Sequence, residues 1–120
     1  LLIMKAAYDI TKKSFGGLID VRLPKAEENE IVSAIIERSS ELVGFHEMRT
    51  RKAGSHRFID LHLVLPQNAS LEAAHQMCDH LEQHIKNRLP NSSVTIHVEP
   101  CDTECEHCYV FTCSLHPRRR

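Results

Sequence analysis

Two segments in which polar and apolar residues alternate constrain the fold of this chain more tightly than any other feature. In residues 94–100, branched aliphatic residues alternate with polar ones, among them His97 and Glu99. Residues 58–65 repeat the pattern, with His62 on the polar side. Because successive side chains of a strand point to opposite faces, each segment predicts a strand with one apolar and one polar face. The apolar faces consist of Val94, Ile96 and Val98 in one strand and Ile59, Leu61, Leu63 and Leu65 in the other.

The polar faces of these predicted strands carry ligands that are typical of a metal site. The Cα atoms of His97 and Glu99 lie about 7 Å apart in an extended strand, so both side chains can reach one cation or two adjacent ones. A single pair of this kind is typical of a solvated strand face, whereas the same pattern on two strands favours a shared site. Imidazole and carboxylate donors favour Zn²⁺, with Fe²⁺, Mn²⁺ or Cd²⁺ as alternatives, over Cu⁺, which prefers sulfur ligands. Asp60, beside His62 on the same face, is either an acceptor for an imidazole N–H or an exposed strand acid.

The composition limits the classes of function. The 120 residues are 42% hydrophobic and 26% charged, which is ordinary for a single globular domain. The formal net charge of -1 argues against binding to nucleic acid through phosphate neutralisation. Nine histidines point to metal binding or to pH sensing. The sequence offers no paired nucleophile and base and no phosphate-binding loop, so we expect a protein that is not an enzyme.

Four of the five cysteines lie in a short run near the end of the sequence. This odd, clustered count, with no leader peptide before it, predicts a reducing compartment rather than a disulfide framework. The run has the spacing C-x3-C-x2-C-x4-C, and two interpretations stay open: a tail that wraps a tetrahedral metal ion, or a flexible reduced end. Its candidate ligands are Cys101, Cys105, Cys108, Cys113 and His107.

The remaining periodicities predict two helices around the strands. Pro24 and the glutamates that follow it favour a helix start, and this helix should fade at Ser39-Ser40. Ser70 favours the start of a second helix that runs to about Arg88. With a further strand at 43–51, the order is helix, strand, strand, helix, strand, which predicts an α+β sandwich with a three-stranded sheet. The buried stripes are predicted as Ile31, Ala34, Ile35 and Leu42 for the first helix and Leu71, Ala74, Cys78, Leu81, Ile85 and Leu89 for the second.

Histidines of the second predicted helix fall on two of its sides. His75 lies at the edge of the apolar stripe, where a side chain can leave the core for an interface. His80 and His84 lie on the far side, where their four-residue spacing fits either a shared metal ion or a plain solvated face. The polar, histidine-bearing face of the sheet predicts burial against a second copy of the chain, and hence a homodimer.

Residues 1–23 predict a helical segment before the sandwich, because apolar residues recur there at three- and four-residue spacing. The pair Gly16-Gly17 weakens this helix and permits a bend. One interpretation is an amphipathic helix packed on the domain. The other is the cytoplasmic end of a membrane helix followed by a hinge, with its lysines obeying the positive-inside bias.

Five blocks of the sequence, taken together, carry a family resemblance. They are Gly44–Arg51, Gly54, Arg57–His62, Ala74-His75 and Ile96–Pro100. As a set they resemble the cytoplasmic C-terminal domain of the cation diffusion facilitator transporters, the zinc and iron efflux family. The resemblance implies a ferredoxin-like fold similar to that of copper chaperones, a homodimer, and divalent metal bound where the two copies meet. It also implies a partner, the transmembrane domain of the same transporter, and a place at the cytoplasmic face of the cell's inner membrane.

The resemblance further implies roles for individual residues. His46 and His62 would bind one metal ion, and Glu99 would be shared between that ion and a second one. His97 would bind the second ion, and His75 would reach it from the neighbouring subunit. Zinc-binding members often have Asp at the position of Glu99, whose side chain is one methylene longer and keeps the same carboxylate chemistry.

The implied organisation has three parts: residues 1–23 as the end of the last membrane helix and a linker, 24–101 as the metal-binding dimerisation domain, and 102–120 as a cysteine-rich tail. Asp20 matches an acid that in relatives helps to pin the membrane helices together. We therefore expect a regulatory and dimerising domain of a zinc efflux transporter. The alternatives are a free-standing metallochaperone or metal-responsive scaffold of the same fold, and a metal-dependent hydrolase.

Overall fold

The computed structural model of the protein describes residues 1–38 and 42–101. In it, three strands form one mixed sheet, and two helices cover one face of that sheet. The predicted order of helix, strand, strand, helix and strand is confirmed, and a further helix precedes it. The elements are α1 (Leu2–Leu18), α2 (Lys25–Ile36), β1 (Gly44–Ala53), β2 (His56–Leu65), α3 (Leu71–Arg88) and β3 (Ser92–Pro100).

Strand β2 is the central strand of the sheet. It pairs with β1 in antiparallel fashion and with β3 in parallel fashion. The hairpin between β1 and β2 is tighter than predicted, because each strand extends about two residues further and leaves Gly54 at the turn. Gly54 has a φ of +61°, a conformation that costs a side-chain-bearing residue more than glycine. The parallel pairing of β2 and β3 requires a crossover, which α3 provides.

The core lies between the sheet and the helices α2 and α3. On β2, the predicted apolar side chains are all buried, and Ile59 and Leu63 are fully inaccessible to solvent. Ile31 and Ile35 of α2 and Leu81 of α3 are buried in the same cluster. Burying one such aliphatic side chain contributes about 1.5–3 kcal/mol, so this layer stabilises the domain.

The buried stripe of α3 differs in part from the predicted one. Leu81, Ile85 and Leu89 are buried as predicted, but Met77 occupies the core position that was predicted for Cys78. Cys78 is half-buried, and Leu71 is 88% exposed. Met77 and Cys78 lie four and three residues before Leu81, so both flank the same buried stripe, and the packing of α3 on the sheet decides which of them is covered. The predicted start is confirmed, because the Ser70 hydroxyl accepts a hydrogen bond from the Ala73 N–H at 3.1 Å.

Helix α1 runs without interruption through Gly16 and Gly17 to Leu18, so the predicted bend is not seen there. Its apolar side chains, including Phe15, are exposed, which removes the interpretation of a helix packed on the domain. Among residues 1–38 and 42–101, no helix has the length and apolar content needed to cross a membrane. The predicted fading of α2 at Ser39-Ser40 falls outside the described residues; α2 itself ends at Ile36.

The linker between α1 and α2 is tied to β1. Val21 pairs with Lys52 in an antiparallel bridge, and Asp20 accepts a hydrogen bond from Arg51 at 3.0 Å. Glu28 of α2, only 3% exposed, accepts hydrogen bonds from the Arg22 guanidinium at 2.6 and 3.0 Å. The Thr50 hydroxyl of β1 also donates to Glu28, at 2.8 Å. This buried carboxylate therefore has a cation and a hydroxyl as partners and joins the linker, α2 and β1.

Candidate metal centre

The register of the sheet brings three histidines into one row on its polar face. His62 of the central strand lies opposite His46 on β1 and opposite His97 on β3. Glu99 follows two residues after His97 on the same face of β3, because side chains alternate along a strand. The backbone pairing therefore places four predicted ligands on adjacent strands.

His46, His62 and Glu99 form the centre of this row. One ligand atom from each lies within 4.8 Å of the other two. The Nε2 of His46 donates to one Glu99 oxygen at 2.8 Å, and the Nδ1 of His62 donates to the other at 2.7 Å. Two imidazole nitrogens and a carboxylate oxygen are ligands that suit zinc and related divalent cations, so the donor set fits such an ion.

The electrostatics of this centre favour an anionic Glu99. Hydrogen bonds from His62 and then His46 hold the pKa of the Glu99 carboxyl below its ordinary value. The side chains of His46, His62 and Glu99 are 44%, 29% and 34% exposed, so the centre opens to solvent on one side. A cation approaching from that side meets an ionised carboxylate between two imidazoles.

His97 lies beside this centre. Its ring centroid is 4.8 Å from that of His62, while the His46 and His62 centroids are 5.2 Å apart. Within the described part of the chain, the group of donor atoms inside 4.8 Å consists of His46, His62 and Glu99, without His97. The role of His97 as a ligand of a second ion stays a prediction.

His75 does not join the centre within one copy of the chain. It projects from α3, whose buried side packs on the opposite, apolar face of the sheet. The His75 side chain is 72% exposed, and its Nε2 lies 3.4 Å from the Asp79 carboxylate one helical turn away. Its predicted role, from a neighbouring subunit, stays a prediction.

The cysteine-rich run is described only at its first residue. Cys101 is 1% exposed, and its N–H donates to the Leu65 carbonyl at 2.8 Å, which fixes the end of β3 beside β2. The other four candidate ligands of that run, Cys105, His107, Cys108 and Cys113, lie outside the described residues. Metal binding by this run therefore stays a prediction.

Glu47 is a neighbour of the centre that the sequence did not single out. The pairing of β1 with β2 is irregular between His46 and Arg49, and Glu47 has a positive φ of 50°. Its carboxylate lies 3.5 Å from the Nε2 of His62. Strict alternation would put adjacent residues on opposite faces, so the pattern alone separates Glu47 from His46. Asp60, predicted as a possible acceptor for His62, lies opposite Arg49.

The histidines of the helix layer and the hairpin have other partners. His84 contacts Glu37 at 2.8 Å, across the gap between α3 and α2. His56 contacts the Ser93 hydroxyl at 2.9 Å. His80 is exposed on α3. A solvated helix face, one of the two interpretations for His80 and His84, agrees with these contacts.

Comparison with known proteins identifies the relatives of this domain. The family profile described as "Cation efflux protein, cytoplasmic domain" matches residues 24–101. Protein p34 of Rickettsia prowazekii (strain Madrid E) is 36% identical over 107 residues, which cover 89% of this chain and 35% of that protein. The cation-efflux pump FieF of Salmonella typhi is 38% identical over 101 residues, or 84% of this chain and 34% of the pump. The chain thus spans about a third of the length of these relatives.

Solved structures have the same fold. The zinc form of CzrB, described there as a candidate zinc transporter, is 36% identical with a TM-score of 0.63, covering 68% of this chain and 93% of that one. The metal-bound C-terminal domain of the CzcD transporter from Thermotoga maritima is 24% identical with a TM-score of 0.59, covering 65% and 94%. At 24% identity, the similarity to the CzcD domain supports the fold alone. The predicted ferredoxin-like sandwich is confirmed.

Proposed function

This chain belongs to the cation efflux protein family, with residues 24–101 as the family's cytoplasmic domain, and from that premise we propose that it dimerises and regulates a divalent-cation efflux transporter. Zinc is the ion we favour. The observation that carries the proposal is the group of His46, His62 and Glu99, whose ligand atoms lie within 4.8 Å of one another on an exposed sheet face. Because relatives are about three times as long as this chain, transport itself is part of the proposal.

The proposed site is shared between two copies through its second ion. A zinc ion in a structural site takes four ligands, and one copy offers three to the first ion in the central group, whose fourth position faces solvent. For the second ion, one copy offers only His97 and Glu99. In our proposal, His97 and Glu99 hold a second ion and His75 of a second copy completes it, so that metal occupies the contact between the two domains.

The regulatory step follows from charge. Without metal, the anionic Glu99 carboxylates of two copies face one another, and like charges repel more strongly as water is excluded between them. Bound cations cancel this repulsion and draw the copies together. A ligand shifts an equilibrium only by its differential affinity for the two states, so an ion completed by the second copy favours the closed arrangement. Closure would then bias the membrane part of the transporter through α1 and the linker.

The exposed apolar side chains of α1 support the proposed partner. Leu2, Ile3 and Leu18 are more than three-quarters exposed, and an apolar helix of this kind needs a further surface to pack against. We assign that surface to the transmembrane domain of the same transporter, at the cytoplasmic face of the membrane.

The test combines zinc titration by calorimetry with distances between spin labels on the two domains. We expect saturable zinc binding, a dimer, and a shorter distance between the two domains with zinc, with no change in the fold of either. The His75→Ala variant should lose the shortening and keep part of the binding. The matched control is His80→Ala, which removes another exposed imidazole from α3 and should behave as the unmodified protein. Distances that stay the same with and without zinc would contradict the regulatory mechanism.

A further inference from the structure

Glu47 owes its place beside the metal centre to an irregularity in β1. His46 pairs with His62 and Arg49 with Asp60, so two residues of β1, Glu47 and Met48, face one residue of β2. This is the count of a β-bulge. Met48 packs against the core, and Glu47 is exposed, so the extra residue lets an acid follow His46 without entering the core.

The backbone of Glu47 is held in an unfavourable conformation. Its φ of 50° lies in the left-handed region, where a residue with a Cβ is disfavoured by about 1–2 kcal/mol. Glycine would be the ordinary choice at such a position. Among residues 1–38 and 42–101, Asn91 is the other non-glycine residue with a positive φ, and asparagine tolerates that region better. A glutamate here calls for a reason that lies in its side chain.

The side chain of Glu47 meets the free side of the His62 ring. The Nδ1 of His62 lies 2.7 Å from Glu99, and its Nε2 lies 3.5 Å from Glu47, so the imidazole sits between two carboxylates. The Glu47 side chain is 54% exposed. In one copy of the chain, the two nitrogens of His62 thus face two different acids.

We propose that Glu47 is a positioning residue for the metal centre, which accepts the Nε2–H of His62 when a divalent cation binds the Nδ1. A neutral imidazole that gives one nitrogen to a metal carries its proton on the other, and a carboxylate that accepts this N–H fixes the tautomer and the ring orientation. Glu47 thereby favours the His62 tautomer that carries its proton on Nε2 and leaves Nδ1 free to bind the cation. This inference rests on the proposed function, because it assigns the residue to that same centre.

Asp60 is the acid that competes with Glu47 for this role. It lies two residues before His62 on the same face of β2, where sequence spacing alone would place the acceptor. The register sets it opposite Arg49, a cation, whereas the contact at 3.5 Å to the His62 ring belongs to Glu47. The two acids therefore form a matched pair of similar charge and exposure for an experiment.

The experiment measures zinc affinity by calorimetry in Glu47→Gly, Glu47→Gln and Asp60→Ala. Glycine accepts the positive φ, so Glu47→Gly removes the carboxylate without straining the backbone. We expect it to weaken zinc binding about tenfold. Glu47→Gln keeps an acceptor oxygen and should recover part of that loss. Asp60→Ala should stay within about twofold of the unmodified protein.

A second measurement separates positioning from a merely structural effect. In the zinc-bound protein, nitrogen-15 NMR should show a His62 Nε2–H proton that exchanges slowly with water, and Glu47→Gly should lose it. If zinc affinity and proton exchange are unchanged in Glu47→Gly, or if Asp60→Ala loses as much zinc affinity as Glu47→Gly, this inference is wrong and the proposed function still stands. If the unmodified protein takes up no zinc at this centre, the proposed function falls, and the inference with it.

Discussion

On one face of the central strand, Leu61 and Leu63 are 1% and 0% exposed, whereas the His62 side chain, which lies between them on the opposite face, is 29% exposed. The two faces share one backbone and one register. Helices α2 and α3 cover the first face, and the second presents imidazoles and a carboxylate to solvent. Because burial of apolar area supplies the main folding free energy, the covered face can hold the fold while the open face keeps its ligands available.

This division implies that stability and metal binding respond to different substitutions. A change on the covered face should alter the free energy of unfolding, and a change on the open face should alter zinc affinity. Glu28 and Glu99 illustrate the same contrast among carboxylates. Arginine, a permanent cation, holds the buried Glu28, whereas histidines, which can exchange a proton for a metal ion, hold Glu99.

The largest effect on stability should come from Leu63→Ala. Removing a fully buried leucine side chain leaves a cavity in the layer between β2 and the helices. We expect the free energy of unfolding to fall by about 2–5 kcal/mol, measured by urea denaturation. Val64→Ala, one residue along and on the open face, is the control and should cost about 1 kcal/mol or less. Equal losses for the two variants would contradict the division between the faces.

The next effect concerns the open face. His62→Ala and Glu99→Ala each remove one of the three clustered ligands, so each should weaken zinc binding by at least about tenfold in calorimetry. His56→Ala is the matched control, since it removes an imidazole from the same strand and face, where the ring contacts Ser93 instead. If His62→Ala keeps its zinc affinity, or if His56→Ala loses as much zinc affinity as His62→Ala, zinc binds at a different site.

A smaller effect is expected from acid, through Glu28. The hydrogen bonds from Arg22, helped by Thr50, hold the pKa of the Glu28 carboxyl below its ordinary value of 4.5, although desolvation opposes them. Because the pKa is lower in the folded than in the unfolded state, the ionised group stabilises the fold above its ordinary pKa. That contribution is lost as the pH falls through the folded-state value.

The measurement compares thermal unfolding of the unmodified protein and Glu28→Gln between neutral pH and about pH 3. At neutral pH the variant should melt a few degrees lower, because the Arg22 guanidinium loses its anionic partner. The difference in melting temperature should shrink as the pH falls, since protonation removes the same charge from the unmodified protein. A difference that stays constant with pH would assign the effect to packing.

Periodicity in the sequence accounts for the successful part of the prediction. Alternation along 58–65 and 94–100 predicted two strands, and Ser70 predicted the start of α3. The apolar face of 58–65 is buried as predicted, whereas in 94–100 Val94 and Ile96 are partly buried and Val98, predicted for the core face, is 38% exposed. These signals are local, because side-chain direction in a strand or helix depends only on position along the chain. The same alternation favoured a site shared by His62, His97 and Glu99, but spacing does not specify register, and the place of His46 beside His62 was implied only by the family resemblance.

The features that were missed depend on tertiary structure. Met77 replaced Cys78 in the core while Leu81, Ile85 and Leu89 kept their predicted places, because residues three and four positions before Leu81 both flank the stripe and tertiary packing decides between them. The bulge in β1 has no strong signature in the sequence, because its positive φ falls on a glutamate instead of a glycine. Glu47 was therefore assigned no role, although it lies next to His46.

The smallest effect should come from the helix layer, where the double variant His80→Ala/His84→Ala tests whether imidazoles on the far side of α3 contribute to zinc binding. His84 contacts Glu37 at 2.8 Å, and the pair lies on the surface between α3 and α2. Exposed ion pairs of this kind contribute little to stability, so the melting temperature should change slightly at most. Zinc affinity should stay within about twofold, because neither ring belongs to the clustered donors of the described residues. A loss of zinc affinity as large as that of His62→Ala would mean that zinc binds the helix-surface histidines at their four-residue spacing. The contrast between the two faces of the sheet would then not explain where zinc binds.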